Sequence, residues 1–259
     1  MNKSLIKKFY IFFTSVFIFL IHVPFVFAKI NSTGIKISNA LEVKSVNSAD
    51  KRYLNETPCI SNRRSIYDSL GLGTLGLCRQ AFDNALKGLN YLISKGKLHD
   101  RKILSIVDFS LPSSKKRLFI LDLENYKILF NTYVAHGRNS GRETATQFSN
   151  QEESYQSSLG FYVTQETYSG KHGYSLHLEG EERGINDHAR SREIVMHSAA
   201  YVNESIIRSR GFIGRSLGCP ALPENMHKPI IEKIKNGTCL FLYSPDKYYA
   251  AHSAILQAS

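Results

Sequence analysis

Residues 213–223 read IGRSLGCPALP, and the cysteine at their centre raises the question of its role. Gly218 gives the backbone freedom on one side of Cys219, and Pro220 fixes it on the other. Four roles are compatible with this thiol: half of a disulfide, a metal ligand, a buried side chain or a nucleophile. The rest of the sequence provides the means to choose among them.

The first 28 residues differ from the rest of the chain. A basic segment with three lysines precedes an apolar run from Phe9 to Ala28, which is typical of a secretory signal peptide. We expect cleavage after Ala28, because a histidine and a proline interrupt the run; an uncleaved membrane anchor is the alternative. Both place the remaining chain outside the cytoplasm, and we expect a periplasmic or cell-envelope location.

The remaining chain is basic and long enough for one sizeable domain. The formal net charge is +11, and the first 28 residues contribute three of these charges, which leaves +8. A basic surface favours an anionic partner, although solubility alone is an alternative explanation. The charges are scattered and no nucleic-acid-binding motif is present, so we expect a cell-envelope polymer and no nucleic acid.

The hydrophobic pattern predicts a mainly β domain over 65–259, preceded by a flexible polar extension over 29–64. Apolar residues at helical spacing predict a helix over about 78–95, and a second helix is expected around Pro229. Its expected buried stripe is Ile230, Ile231 and Ile234, with Lys235 in the last turn and Gly237 as the cap. A hairpin is expected over 117–136, and the remaining strands are predicted in ILSIVDFS, LGFYVTQETY, YSLHLEG, EIVMHSA and TCLFLYSP.

The other three cysteines have separate interpretations. Cys59 and Cys78 both lie in the N-terminal part and are able to pair in an oxidising compartment, but spacing does not fix the connectivity. Cys239 lies in the apolar run TCLFLY, which predicts a buried thiol in a core strand. The absence of a C-x-x-C spacing argues against a structural zinc site.

A nucleophilic cysteine needs a base nearby. The predicted strand EIVMHSA supplies His197 at its end, with Ser198 beside it. The backbone N–H groups of Gly218 and Cys219 are candidate donors for an oxyanion, and Arg215 adds positive charge. By spacing alone this pairing of cysteine and histidine is a weak signal. A zinc site is the other interpretation of four histidines, His172, His177, His188 and His197. We expect no zinc, because no H-E-x-x-H or comparable cluster is present.

GRSLGCPALP, with MHSAAYV upstream, resembles the murein L,D-transpeptidase catalytic domain family, which is YkuD-like. The resemblance extends to VDFSLPSSKKRLFILDL, YVAHGRNSG, SSLGFYVTQETYSGKHGYSLHLEG and NDHARSREIVMHSA. It covers about residues 66–245, most of the chain that follows the signal peptide.

The resemblance implies a β-rich L,D-transpeptidase fold, a bent and barrel-like sandwich with a few helices. It also implies that Cys219 is the nucleophile, that His197 is its base, and that Ser198 orients the imidazole through its hydroxyl or its carbonyl. Gly218 and Cys219 would form the oxyanion hole. The partners would be peptidoglycan stem peptides, as donor and acceptor: the enzyme would release terminal D-alanine and form 3→3 cross-links, with no cofactor and no metal.

Two positions depart from the usual family pattern. Leu217 stands where a histidine is common, and Ala221 stands where an arginine is common. Arg215 is therefore the candidate contact for a substrate carboxylate. We also expect substrate contacts from three further residues, Ser216, Tyr174 and His136. Tyr168 and Tyr174 flank Gly170 and Gly173 and would belong to a mobile aromatic lid or to an ordinary exposed hairpin. His136 would line the cleft or belong to a polar loop.

Two other functions remain open. The same acyl-enzyme would yield an L,D-carboxypeptidase if water were the second nucleophile. A catalytically silent wall-binding module would keep the fold without the chemistry, and the presence of Cys219, His197 and Ser198 argues against it.

Overall fold

A computed structural model describes residues 66–258 of the chain. The expected signal peptide (1–28), the expected extension (29–64) and Cys59 lie outside the described residues. Cleavage, anchoring and a Cys59–Cys78 disulfide therefore stay predictions. Within residues 66–258, no helix has the length and apolar character needed to cross a bilayer.

One curled sheet of eight strands forms the centre of the domain, in the order β3-β2-β1-β8-β4-β5-β6-β7. Two neighbouring pairs are parallel, β1 with β8 and β6 with β7, and the other described pairs are antiparallel. The strands are β1 (Ile103–Asp108), β2 (Leu118–Asp122), β3 (Lys127–Thr132), β4 (Gly160–Gly170), β5 (Gly173–Gly180), β6 (Val195–Ser198), β7 (Ala221–Leu222) and β8 (Cys239–Tyr243). The mainly β fold is thus confirmed.

The middle of the sheet is covered on both faces. Every residue of β1, β2 and β8 is buried, which explains why these strands read as continuous apolar runs rather than as alternating ones. Cys239 opens β8 and is fully buried, so the prediction of a core thiol is confirmed. Burial raises the pKa of this thiol far above its usual range, which makes it unreactive.

The first predicted helix is confirmed as α1 (Arg79–Ser94). Its apolar face packs against β1 and β8, and it approaches β4 closely through Gly88. A Cβ at Gly88 would lie 2.0 Å from Cε1 of Phe161, so a larger residue would push the helix off the sheet.

Four other helices follow along the described chain, namely α2 (Glu204–Arg210), α3 (His227–Ile234), α4 (Lys247–His252) and α5 (Ala254–Gln257). Helix α3 confirms the expected buried stripe of isoleucines, but it ends at Ile234. Lys235 is its C-cap rather than part of its last turn, because Asn236 and Gly237 adopt positive φ angles of 62° and 98°. Helices α2, α4 and α5 were not predicted, since they are short and lack a long apolar period.

The predicted hairpin over 117–136 is confirmed in its core, where β2 and β3 pair in antiparallel register. It is shorter than expected, because β3 ends at Thr132 and the chain then leaves this pairing. Residues 135–138 instead run beside the cysteine loop. Ala135 donates its N–H to Ala221, and Gly137 forms a parallel bridge with Ser216.

Candidate active site

The parallel pairing of β6 with β7 brings the predicted nucleophile and base together. His197 lies opposite Ala221 in this register, and Ala221 follows Cys219 closely in the chain. Two residues that are 22 positions apart in sequence are therefore brought to neighbouring parts of the fold, His197 on β6 and Cys219 just before β7. Both Cys219 and His197 line a cavity of about 600 Å³.

The His197 imidazole is anchored through one nitrogen. Its Nδ1 lies 2.7 Å from the backbone carbonyl oxygen of Ser198, so Nδ1 carries the hydrogen and Nε2 keeps its lone pair. No residue of 66–258 forms a hydrogen bond with Nε2. Of the two orienting groups that the resemblance implied, the geometry favours the Ser198 carbonyl, because the Ser198 hydroxyl donates to the carbonyl of His172 at 3.3 Å.

The surroundings of His197 keep it neutral. Burial lowers the pKa of this imidazole, and the neighbouring His172 lowers it further, while the bond to Ser198 opposes both. The rings of His172 and His197 stack with their centroids 4.5 Å apart. His172 belongs to the turn between β4 and β5, so this hairpin covers one face of the base. A neutral imidazole with a free nitrogen is the form that accepts a proton.

The Cys219 thiol is partly buried between two backbone groups. The N–H of Val195 lies 3.5 Å from Sγ, and Sγ lies 3.6 Å from the carbonyl oxygen of Glu193. Burial raises the pKa of the thiol, and it outweighs the lowering effects of the Val195 N–H and of Arg192. The resting groups are thus a neutral thiol and a neutral imidazole that line the same cavity, with no hydrogen bond between them among the described residues.

Ser216 braces the loop that carries the thiol. Its hydroxyl donates to the carbonyl of Cys219 at 2.6 Å and accepts the N–H of Gly218 at 3.1 Å. Ser216 lines the cavity as expected, but its polar atom already has two partners within the loop. The same bond occupies the N–H that the resemblance assigned to the oxyanion hole, so Gly218 would donate to an oxyanion only after Ser216 moved.

Gly218 is required by the backbone at this point. Its φ is +128°, and a Cβ there would lie 2.9 Å from the carbonyl oxygen of Gln156 and from Cδ1 of Ile194. Its own carbonyl accepts from the Ser157 hydroxyl at 3.0 Å. The tight approach of residues 156–157 therefore fixes the position of the cysteine loop.

Arg215 lines the cavity, as expected for a substrate contact. Its Nη1 donates to the carbonyls of Arg138 and Gly141, at 2.9 and 3.0 Å. The side chain is exposed, and the other guanidinium nitrogens are left for a ligand.

Two expected substrate contacts do not line the cavity. Tyr174 donates its hydroxyl hydrogen to Glu232 on α3. Tyr168 of the same hairpin does line the cavity, and its ring stacks on that of His177 with the centroids 4.3 Å apart. His136 is fully buried beneath the neighbouring loop. The prediction for both residues is corrected: the pattern of aromatic and polar residues did not show which side of each strand or loop would face inward.

Arg192 lines the cavity and was not singled out from the sequence. It lies in a stretch with several other basic residues, and nothing in the pattern separates it from Arg183 or Arg190. Its place in the cavity depends on tertiary structure, because its hydrogen-bond partners lie far away in sequence, at residues 149–158.

Three of the histidines that suggested zinc, His172, His177 and His197, line the cavity, while His188 contacts Asn150 through Nδ1. Within residues 66–258, no three or more His, Cys, Asp or Glu side chains are grouped in a way that would hold a metal ion.

The sequence model of one protein family, described as L,D-transpeptidase catalytic domain, matches residues 74–243. The chain belongs to this family. The match spans β1 to β8 and includes both Cys219 and His197. Membership of the L,D-transpeptidase family confirms the resemblance stated from the motifs and supports a function related to peptidoglycan.

Several solved structures are similar to this chain at low identity. An L,D-transpeptidase from Mycobacterium smegmatis is 11% identical, with 55% of this chain and 59% of that chain covered and a TM-score of 0.34. The helical cell shape determining protein Pgp2 (K307A mutant) from Campylobacter jejuni is 15% identical, with 62% and 54% covered and a TM-score of 0.38. The chain thus spans a little over half the length of these proteins. No curated protein matches its sequence.

Proposed function

We propose that this protein is an exported L,D-transpeptidase that cross-links peptidoglycan through a thioester on Cys219. The observation that carries the proposal is the shared cavity of Cys219 and His197, in which Nδ1 is anchored on the Ser198 carbonyl and Nε2 is left for the thiol proton. Family membership supports the substrate class.

The first half-reaction forms the acyl-enzyme. Nε2 of His197 takes the thiol proton, and Sγ of Cys219 attacks the carbonyl of the third residue of a donor stem peptide. The C–N bond breaks, and the terminal D-alanine leaves as an amine that takes the proton back from the imidazolium. The N–H of Cys219 is the proposed donor to the oxyanion, because Ser216 occupies that of Gly218.

The second half-reaction regenerates the thiol. An amine on a second stem attacks the thioester carbonyl and loses its proton to His197, and the C–S bond breaks as sulfur recovers a proton. The product is a 3→3 cross-link. Water in place of the amine would release a tripeptide, which is the carboxypeptidase outcome.

The charges around the cavity favour an acidic peptide. Lys171, Arg190, Arg192 and Arg215 line it, and Glu193 is the one acidic residue among the lining residues of the described chain. Stem peptides carry free carboxylates, so this excess of positive charge would attract them. Leu217 is 55% exposed beside the thiol and provides an apolar contact where the family often has a histidine.

The decisive experiment is muropeptide analysis after incubation of the protein with tetrapeptide-rich sacculi. We expect 3→3 dimers and released D-alanine from the wild type, and neither from Cys219→Ala. Cys78→Ala is the matched control, since it replaces a cysteine that does not line this cavity. Tripeptides without dimers would assign a carboxypeptidase, and undiminished activity in Cys219→Ala would refute the nucleophile.

A further inference from the structure

The guanidinium of Arg192 is held rigidly beneath the cysteine loop. Its Nη1 donates to the Ser149 carbonyl at 2.8 Å and to the Ser158 hydroxyl at 2.6 Å. Its Nη2 donates to the Gln156 carbonyl at 2.8 Å and to the Ser154 hydroxyl at 3.2 Å. All four N–H bonds of the two terminal nitrogens are thus engaged, which fixes the group more firmly than a surface arginine.

This cation forms no ion pair with a carboxylate of the described chain, and the acid that acts on its charge from farther away is Glu152. Its four acceptors are neutral oxygens, and no acid within residues 66–258 forms an ion pair with it. Arg190, which lines the same cavity, differs in both respects, because it is exposed and forms a salt bridge of 2.8 Å with Glu166. A half-buried and unpaired charge acts over a longer range than an exposed and paired one.

The charge of Arg192 lies close to the loop that carries the thiol. A Cβ placed on Gly218 would lie 3.6 Å from Nη2 of Arg192, so the guanidinium adjoins the residue that precedes Cys219. Among the groups that act on the pKa of Cys219, Arg192 is the cation that lowers it, and Glu193 is the acid that raises it. The Val195 N–H adds a dipole of the same sign as Arg192.

We propose that Arg192 is a positioning residue whose fixed positive charge stabilises the Cys219 thiolate as it forms. When the thiol proton moves to Nε2 of His197, sulfur keeps the bonding electron pair and becomes negative. The guanidinium is already in place and needs no reorganisation to compensate that charge. Its hydrogen bonds to residues 149–158 hold it there, so these residues take part in the site through Arg192.

The test measures the thiol itself, without substrate. The rate of Cys219 alkylation by iodoacetamide is followed against pH by peptide mapping, in wild type, Arg192→Gln and Arg192→Lys. Arg183→Gln is the control, since it removes an exposed arginine outside the cavity. The midpoint of the alkylation rate against pH reports the pKa of the thiol. We expect Arg192→Gln to raise this midpoint by about one pH unit or more, Arg192→Lys to raise it less, and the control to leave it unchanged.

A folded Arg192→Gln protein with the wild-type midpoint would overturn the proposal. The role of Arg192 would then be structural, namely to hold residues 149–158 in place. If that variant does not fold, Ser154→Asp and Ser154→Asn decide the question, because both keep an acceptor for Nη2 and differ in charge. A midpoint raised by Asp relative to Asn supports the proposal, and equal midpoints refute it. The inference rests on the proposed function, because the thiolate matters only if Cys219 is the nucleophile. Alkylation does not require acyl transfer, however. A protein that is inactive on sacculi would therefore contradict the proposed function without contradicting the role of Arg192.

Discussion

His136 and His197 illustrate how two buried histidines in one domain serve different purposes. Burial lowers the pKa of both, that of His136 to about 3, and both therefore remain neutral. The difference lies in their nitrogens. His136 accepts from Nη2 of Arg117 at 2.6 Å through Nδ1 and donates to the Gly141 carbonyl at 3.2 Å through Nε2.

His197 has only one of these two constraints. Nδ1 is bound, the side chain keeps 4% exposure towards the cavity, and Nε2 is left without a partner among the described residues. A lowered pKa therefore does not distinguish the two histidines; what makes His197 the candidate base is a nitrogen without a partner among the described residues, in the cavity that Cys219 also lines. His136 and fully buried Arg117 instead hold the loop that runs beside the cysteine, because Arg117 also donates to the Val134 carbonyl.

The largest expected effect comes from His197→Gln. We expect D-alanine release to fall by about 10²–10⁴-fold, because glutamine has no lone pair basic enough to take the thiol proton. His136→Gln is the matched control: its amide is able to accept from Arg117 and donate to Gly141, and activity should stay within about threefold. Equal losses in the two variants would contradict the division of roles.

His136→Ala should lower the stability of the protein, whereas His197→Gln is expected to lower its activity. The substitution leaves a buried N–H of Arg117 without an acceptor, which costs about 1–3 kcal/mol in the free energy of unfolding. Urea unfolding followed by circular dichroism measures the change, with His136→Gln expected to recover most of it. An unchanged midpoint in His136→Ala would show that the contact with Arg117 is not stabilising.

The stability of the wild type should depend on the protonation of His136. In the unfolded chain this imidazole binds a proton near its usual pKa of 6.5, whereas the folded protein resists protonation until about pH 3. The unfolded state therefore binds more protons between these values, and the stabilising contribution, fully present above pH 6.5, is lost as pH falls. We expect the free energy of unfolding to fall less steeply with decreasing pH in His136→Gln than in the wild type. Parallel curves of unfolding free energy against pH would refute the assignment of this pH dependence to His136.

The rate of D-alanine release should have a broad plateau. The pKa of His197 lies below 6.5 and that of Cys219 above 9.0, so the reactive neutral pair predominates between those values. We expect less than about a twofold change over this range, with an acid limb below it. If the resting groups were instead a thiolate and an imidazolium, the pKa of the thiol would lie below that of the imidazole. Rapid alkylation of Cys219 at pH 5 would show this and would contradict the prediction.

The smallest expected effect is a shift of that acid limb in His172→Ala. Removal of the stacked ring exposes His197 to water and removes a neighbour that opposes its protonation. The limb should move to higher pH by less than about one unit, with little change in the plateau rate. A shift to lower pH would mean that the β4–β5 hairpin does not shield the base.

The elements with strong periodicity were accessible from the sequence. The amphipathic pattern determined α1, the apolar runs determined β1, β2 and β8, and the position of Cys239 within such a run determined its burial. The motif around Cys219, with His197 upstream, identified the family and the pair of candidate residues.

Tertiary structure alone decided which other residues belong to the cavity. Arg192 enters it because residues 149–158 wrap its guanidinium, and His136 leaves it because Arg117 and Gly141 bind both of its nitrogens. Local sequence encodes the conformation of each segment, but it does not encode which distant carbonyl or hydroxyl will meet a side chain. That information arises only when the strands pair and the loops pack, since these contacts join residues that are far apart in the chain.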